Sequence, residues 1–216
     1  MTVIHLGTTN PGKVRELASL LSPMGLELQL LALDVPETGE TFEENARQKA
    51  LAYAKHTGGI TISEDSGIVV AALGGLPGPY SARFADLELD ADRRPIRVVA
   101  SGRPREEIDR LNNARLLELL RGVPQPQRAA VFLVRLVVAH GDRILFEVSG
   151  EVHGWIAEEA RGDRGFGYDP VFIGQDTFGK TYAELDPVRK NLRSHRRRLL
   201  NELQHWLGKA LREGTL

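Results

Sequence analysis

The chain contains no cysteine, which removes disulfide scaffolds, thiolate zinc sites, iron–sulfur clusters and cysteine nucleophiles together. It also lacks a long apolar run. The longest, Ala129 to Ala139, spans 11 residues and is interrupted by Arg135, against the roughly 18 that a membrane-spanning helix needs. The start, Met1-Thr2-Val3-Ile4-His5-Leu6, has no basic segment followed by an apolar core, so no signal peptide is expected and the cytoplasm is the expected location. Neither sign of charge dominates: 28 Lys and Arg stand against 29 Asp and Glu, which argues against a dedicated nucleic-acid binder. No repeat or low-complexity tract occurs. What is there is 216 residues, 42% hydrophobic and 26% charged, the composition of a globular protein of one large domain or two lobes.

Thr2 to Thr8 is apolar and rich in β-branched residues, and it reads as a strand entering the loop Gly7-Thr8-Thr9-Asn10-Pro11-Gly12. A helix follows, with Asn10 as cap, Pro11 at its first position, an apolar face of Val14, Leu17, Ala18 and Leu21, and Gly25 as its stop. Leu26 to Leu33 starts as an alternating strand. Thr41-Phe42-Glu43-Glu44 has the form of a capping box and opens a helix to about His56. Gly58-Gly59 ends it, and Ile60-Thr61-Ile62 reads as a strand arriving at an acidic turn, Ser63-Glu64-Asp65-Ser66-Gly67, which a second apolar run, Ile68 to Leu73, leaves. Gly74 to Pro79 is expected to hold no regular element, and residues 86–108 are expected to form a surface insertion. A helix to Arg121, a hairpin of Ala129–His140 and Arg143–Val148 about Gly141-Asp142, and a helical end from Asp186-Pro187 to Glu213 complete the chain. The last has Leu192, Leu199, Leu203, Trp206, Leu207 and Leu211 near one face. Helices separated by strands, then a hairpin and a terminal helix, imply an α/β protein with a mixed central sheet flanked by helices.

Four groups could carry chemistry. Gly7 to Lys13 fits the G-x-x-x-x-G-K part of a P-loop and lies between a strand and a helix, where amides and the helix dipole attract phosphate. Val14 stands where a P-loop NTPase has a Mg²⁺-binding Ser or Thr, and Pro11 has no amide to donate, so a P-loop NTPase is not the expected reading. Lys13 as a phosphate ligand competes with a capped turn bearing a surface lysine. The adjacent acids Glu64 and Asp65, with Glu37, Glu40, Glu43 and Glu44 upstream, form a set without histidine that suits Mg²⁺ better than Zn²⁺, although adjacent acids in a turn are also ordinary turn chemistry. Arg189, Lys190, Arg193, Arg196, Arg197 and Arg198, with His195 among them, form a basic stretch of which a few members could face a triphosphate. Gly165-Phe166-Gly167-Tyr168-Asp169-Pro170 places aromatics and an acid in a glycine-rich turn, where a ring could stack on a base.

Taken together, Thr8-Thr9-Asn10-Pro11-Gly12-Lys13, Thr41-Phe42-Glu43-Glu44-Asn45-Ala46, Ser63-Glu64-Asp65-Ser66-Gly67, Gly74-Gly75-Leu76-Pro77-Gly78-Pro79-Tyr80-Ser81-Ala82-Arg83, Phe166-Gly167-Tyr168-Asp169-Pro170 and Ser194-His195-Arg196 resemble the inosine triphosphatase-like family, the XTP/dITP diphosphatases. The blocks occur in order from about residue 3 to 207. The resemblance implies Mg²⁺-dependent cleavage of ITP, dITP and XTP to the monophosphate and pyrophosphate. It implies a homodimer of elongated, two-lobed α/β chains with substrate in a central cleft. It assigns Thr8, Thr9, Asn10, Pro11, Gly12 and Lys13 to the triphosphate, Asp65 as general base and metal ligand, Glu37 as second metal ligand and Ser66 as a substrate contact. The base would lie on Phe166, Gly167, Tyr168 and Asp169, Lys190 would reach phosphate, and His195 with Arg196 would recognise the 6-oxo group. Partners beyond small-molecule nucleoside triphosphates and a second copy are not implied, neither nucleic acid nor membrane. A non-catalytic nucleotide sensor and a pyrimidine nucleotide pyrophosphatase are the competing readings; the retained Asp65 and Glu37 argue against the first and the two C-terminal blocks against the second.

Overall fold

The computed structural model describes residues 3–214; the expected strand residue Thr2 lies outside them. Two compact units are present, one made of Met1–Ser66, Leu133–Glu151 and Asn191–Leu216, the other of Gly67–Phe132 and Val152–Lys190. A six-stranded sheet has the order β2-β1-β3-β6-β7-β8, from β1 (Val3–Gly7), β2 (Glu27–Leu31), β3 (Ile60–Val70), β6 (Ala129–His140), β7 (Arg143–Ile156) and β8 (Phe172–Gly174). β1 is parallel to β2 and β3, whereas β8 is antiparallel to β7, so the sheet is mixed. A separate antiparallel pair joins β4 (Leu87–Leu89) to β5 (Pro95–Val98).

In the first unit the β1–β3 pairing is close because residue 7 is glycine: a Cβ there would strike Ser63 Oγ and the Tyr53 ring. Helix α1 (Pro11–Leu21) starts where Asn10 accepts hydrogen bonds from the amides of Gly12 and Lys13 at 2.8 and 3.3 Å, a cap of about 1 kcal/mol. Helix α2 (Phe42–Thr57) opens on the Thr41/Glu44 capping box and ends at Gly58 in the left-handed region, φ 65°. The core of this unit joins Ile4, Leu6 and Ile62 to Leu17 and Leu21 of α1 and to Leu199, Leu203 and Leu207 of α5 (His195–Glu213).

The C-terminal helical segment is not continuous. α4 (Pro187–Arg193) stops, and Ser194 caps α5 by accepting from the Arg197 amide at 3.2 Å. Gly150 of β7 makes room for this start, since a Cβ there would meet the carbonyl of His195. Leu192, placed in sequence on the apolar face, is exposed because it precedes the break; Leu199, Leu203 and Leu207 are buried as expected.

Two further expectations are corrected. Ser63 to Gly67 is no turn but the middle of β3, because the side chains of Ser63, Glu64 and Asp65 all find buried partners and the backbone stays in the ladder. Gly74 to Pro79 is not wholly irregular: a 3-10 stretch begins at Gly78 and runs to Asp86. Residues 86–108 carry the β4–β5 pair, largely exposed from Asp90 to Arg97, and the start of α3 (Arg105–Leu119). In the second unit Leu116 of α3 packs with Phe84, Leu87, Ile156, Tyr168 and Phe172.

Candidate active site

Lys13 leaves the first turn of α1 and reaches Glu64 Oε1 at 3.5 Å. The Gly12 and Lys13 amides, which a phosphate cradle would offer, are held by the Asn10 side chain, and Asn10 N donates to Thr8 Oγ1 at 3.2 Å. Thr9 and Pro11 are exposed. This loop is therefore braced by its own side chains, and its cation points at the acids of β3.

Alternation along β3 sends its two acids to different partners. Glu64 is fully buried and forms a bidentate pair with Arg196, at 2.8 Å to Nε and 2.5 Å to Nη2. Arg196 also donates to Glu16 at 2.6 Å and to Ser66 Oγ at 3.0 Å. Burial pushes the Glu64 carboxyl up, yet Arg196 and Lys13 beside it outweigh burial and hold it well below the usual carboxylate range. For Lys13 burial wins over Glu64, and its pKa is lowered, with Lys49 and Arg196 pushing the same way.

Asp65 faces α2. Its Oδ2 accepts from Asn45 at 3.2 Å and its Oδ1 lies 3.3 Å from Lys49 Nζ, which also meets Glu37 at 2.7 Å. Asn45 and Lys49 are one helical turn apart, so both side chains leave the same face. Burial raises the Asp65 pKa despite Lys49 and Lys13, and Glu37 adds repulsion. The acids Glu16, Glu37, Glu64 and Asp65 exceed the cations Lys13, Lys49 and Arg196 by one. Glu37 and Asp65 already share one cation, the Lys49 ammonium, and both offer only carboxylate oxygens, which suits a hard divalent ion. Among the described residues no cluster of three His, Cys, Asp or Glu is gathered for a metal.

The second unit holds the other expected residues. Asp169 Oδ2 accepts from the Phe166 amide at 2.8 Å and from Lys190 Nζ at 2.5 Å, and the same ammonium sits 4.4 Å from the centre of the Phe166 ring. Tyr168 is buried and donates its hydroxyl to the Ser81 carbonyl at 2.9 Å. Gly167 has φ 61°, a conformation glycine adopts without strain.

The expected residues thus form two groups. Thr8 to Lys13, Glu37, Asp65, Ser66, His195 and Arg196 belong to the first unit, and Phe166 to Asp169 with Lys190 to the second. A family model described as the Ham1 family matches residues 4–206. The chain belongs to the Ham1 family. It is 40% identical to a dITP/XTP pyrophosphatase of Desulforamulus reducens over 209 residues, 94% of each chain. A dITP/XTP pyrophosphatase of Bacillus subtilis is 41% identical over 207 residues, 94% of this chain and 95% of that one. The solved structure of a HAM1 protein from Coxiella burnetii superimposes with a TM-score of 0.79 at 33% identity, covering 97% of this chain and all of that one.

In this Ham1 protein, sequence reasoning overlooked Glu16, Asn45 and Lys49. Each is a polar residue at a helix position that faces the core, and all three are buried. A buried polar side chain needs a partner, so that placement was the available signal. Arg196 was expected at a base; its guanidinium is committed to Glu64, Glu16 and Ser66.

Proposed function

We propose that the protein is a Mg²⁺-dependent nucleoside-triphosphate pyrophosphatase that converts ITP, dITP and XTP to the monophosphate and pyrophosphate, clearing deaminated purines from the cytoplasmic nucleotide pool. The observation that carries this reading is the arrangement about Asp65: a buried carboxylate with raised pKa, bonded to Asn45 and Lys49, sharing Lys49 with Glu37, in a cluster that also contains Lys13. The names of the relatives support the substrate class.

Asp65 takes the proton of the attacking water as the new phosphorus–oxygen bond forms, and the bond to the departing pyrophosphate breaks. Glu37 and Asp65 would hold Mg²⁺, whose charge would stabilise the phosphate oxygens. Lys13 and Lys49 supply fixed positive charge where negative charge accumulates. The phosphates go to the first unit's cluster, and Ser66 to the substrate. Phe166 offers a ring to the base, which any purine satisfies, while His195 contributes a polar contact to the 6-oxo group. Arg196 would offer the 6-oxo group a donor while paired with Glu64 and Glu16, and Lys190 would offer phosphate a donor while paired with Asp169. We propose a homodimer as the working assembly, checked by light scattering.

The test is incubation with Mg²⁺ and ITP, XTP, dITP, ATP or GTP separately, with the phosphate product identified. Pyrophosphate from the first three and little from ATP or GTP is expected. Orthophosphate as the product would overturn the reading in favour of γ-phosphate cleavage.

A further inference from the structure

The turn from Phe166 to Asp169 is closed by its own bonds and is also held from outside. Gly167 is gripped on both polar atoms by α3: its N–H donates to Asp109 Oδ2 at 2.9 Å, and its carbonyl accepts from Asn113 Nδ2 at 2.9 Å. Asp109 and Asn113 are four residues apart and so project from one helix face. Asp109 is itself fixed by Arg105 at 2.9 Å. The adjoining groups are occupied as well. The Phe166 amide donates to Asp169, the Phe166 carbonyl accepts from the Asp169 amide, the Tyr168 carbonyl accepts from Val171 and Phe172, and the Asp169 carbonyl accepts from Ala183. Among the described residues, the one backbone polar group of this turn without a hydrogen bond is the Tyr168 N–H.

We propose that Asp109 and Asn113 are positioning residues for base selection: Asn113 holds the carbonyl of the same peptide unit that carries the Tyr168 N–H, Asp109 holds the N–H of the unit before it, and together they make the Tyr168 N–H a preset donor for a 6-oxo group. A 6-oxopurine brings an acceptor to that donor. Adenine brings an amine, and two donors then face each other with neither satisfied, the situation that discriminates most strongly between analogues. The inference rests on the reading that this turn holds the base.

The test compares KM and kcat for ITP and ATP in Asp109→Ala, Asp109→Asn, Asn113→Ala and Phe166→Ala proteins, with circular dichroism melts alongside. Loss of one positioning hydrogen bond is expected to raise KM for ITP about 3- to 10-fold with kcat changed less than about 3-fold, and to narrow the ITP:ATP preference by a similar factor. Asp109→Asn keeps an oxygen that accepts from Gly167 and is expected to recover most of what Asp109→Ala loses. Should Asn113→Ala not fold, Asn113→Ser, whose hydroxyl is too short to reach the Gly167 carbonyl, gives the same reading. Unchanged KM and preference with lowered melting temperature in the Asp109→Ala and Asn113→Ala proteins would overturn the positioning role. If Phe166→Ala raises KM while those two do not, the clamp alone is wrong; if Phe166→Ala also leaves KM unchanged, the base does not use this turn at all.

Discussion

The two units bury polar groups by opposite means. In the first, charges answer charges: Glu64 is held by Arg196 and Lys13, Asp65 by Lys49, and the acids outnumber the cations by one. In the second, backbone amides and carbonyls of the turn at Phe166 to Asp169 meet the side chains of Asp109, Asn113 and Asp169, and Asp169 pairs with Lys190. A charged cluster responds to protons and to ions, which suits work on phosphates. A backbone gripped at successive peptide groups has fewer ways to move, and the two carboxylates that grip it, Asp109 and Asp169, are each paired with a cation.

The comparison is broken most strongly at Asp65. Asp65→Asn is expected to lower kcat about 10²- to 10⁴-fold, the usual contribution of a positioned base, measured as pyrophosphate release. Its melting temperature at pH 8 should be equal to or higher than that of the unaltered protein. The sign follows from the raised folded pKa: the unfolded chain gives up this proton at lower pH than the fold does, so ionising Asp65 removes stability as pH rises. Glu64→Gln has the opposite character. It strips the bidentate partner from a buried arginine and is expected to cost roughly 3–5 kcal/mol at pH 7 in urea denaturation. Because the folded pKa of Glu64 lies below its ordinary 4.5, its contribution is complete above that value and fades as pH falls toward the folded one, so the gap between mutant and parent should close in acid.

Smaller effects sharpen the contrast. Phe166→Ala should raise KM for ITP and ATP alike, about 5- to 100-fold for a lost stack of roughly 1–3 kcal/mol, with KM nearly independent of pH between 6 and 9. Arg97→Ala, which removes an exposed pair with Glu88 on the β4–β5 hairpin, should leave both kcat/KM and the melting curve unchanged, as isolated surface pairs do.

How far the sequence could be read depends on where each residue's partners lie. Asn10 and the Thr41/Glu44 box were legible because a cap bonds within its own first turn. Ser63 to Gly67 was read as a turn because Ser, Glu, Asp and Gly have little strand preference; the partners that keep it extended, Arg196, Lys49 and Asn45, come from distant parts of the chain. The break at Ser194 was hidden because a capping serine inside a long helical pattern looks like a helix residue, and the glycine that accommodates it, Gly150, lies on another element. Lys49, Glu16, Asp109 and Asn113 share one mark that a closer reading could use, a polar residue where the helical period calls for an apolar one. Which acid or amide each would meet was not written locally.

That Glu64 and Asp65 are neighbours in the chain but not in their contacts has a consequence for how the gene can vary. Removing or adding one codon between Ile60 and Glu64 would put Ser66 or Glu64 where Asp65 now meets Lys49, and Lys49 and Arg196 would each lose its proper carboxylate. A substitution there disturbs one set of partners at a time; a change of length disturbs both sets together. The exposed turn from Asp90 to Arg94, whose amides at Asp92 and Arg94 bond to its own Asp90 side chain, ties no such distant partners to its length.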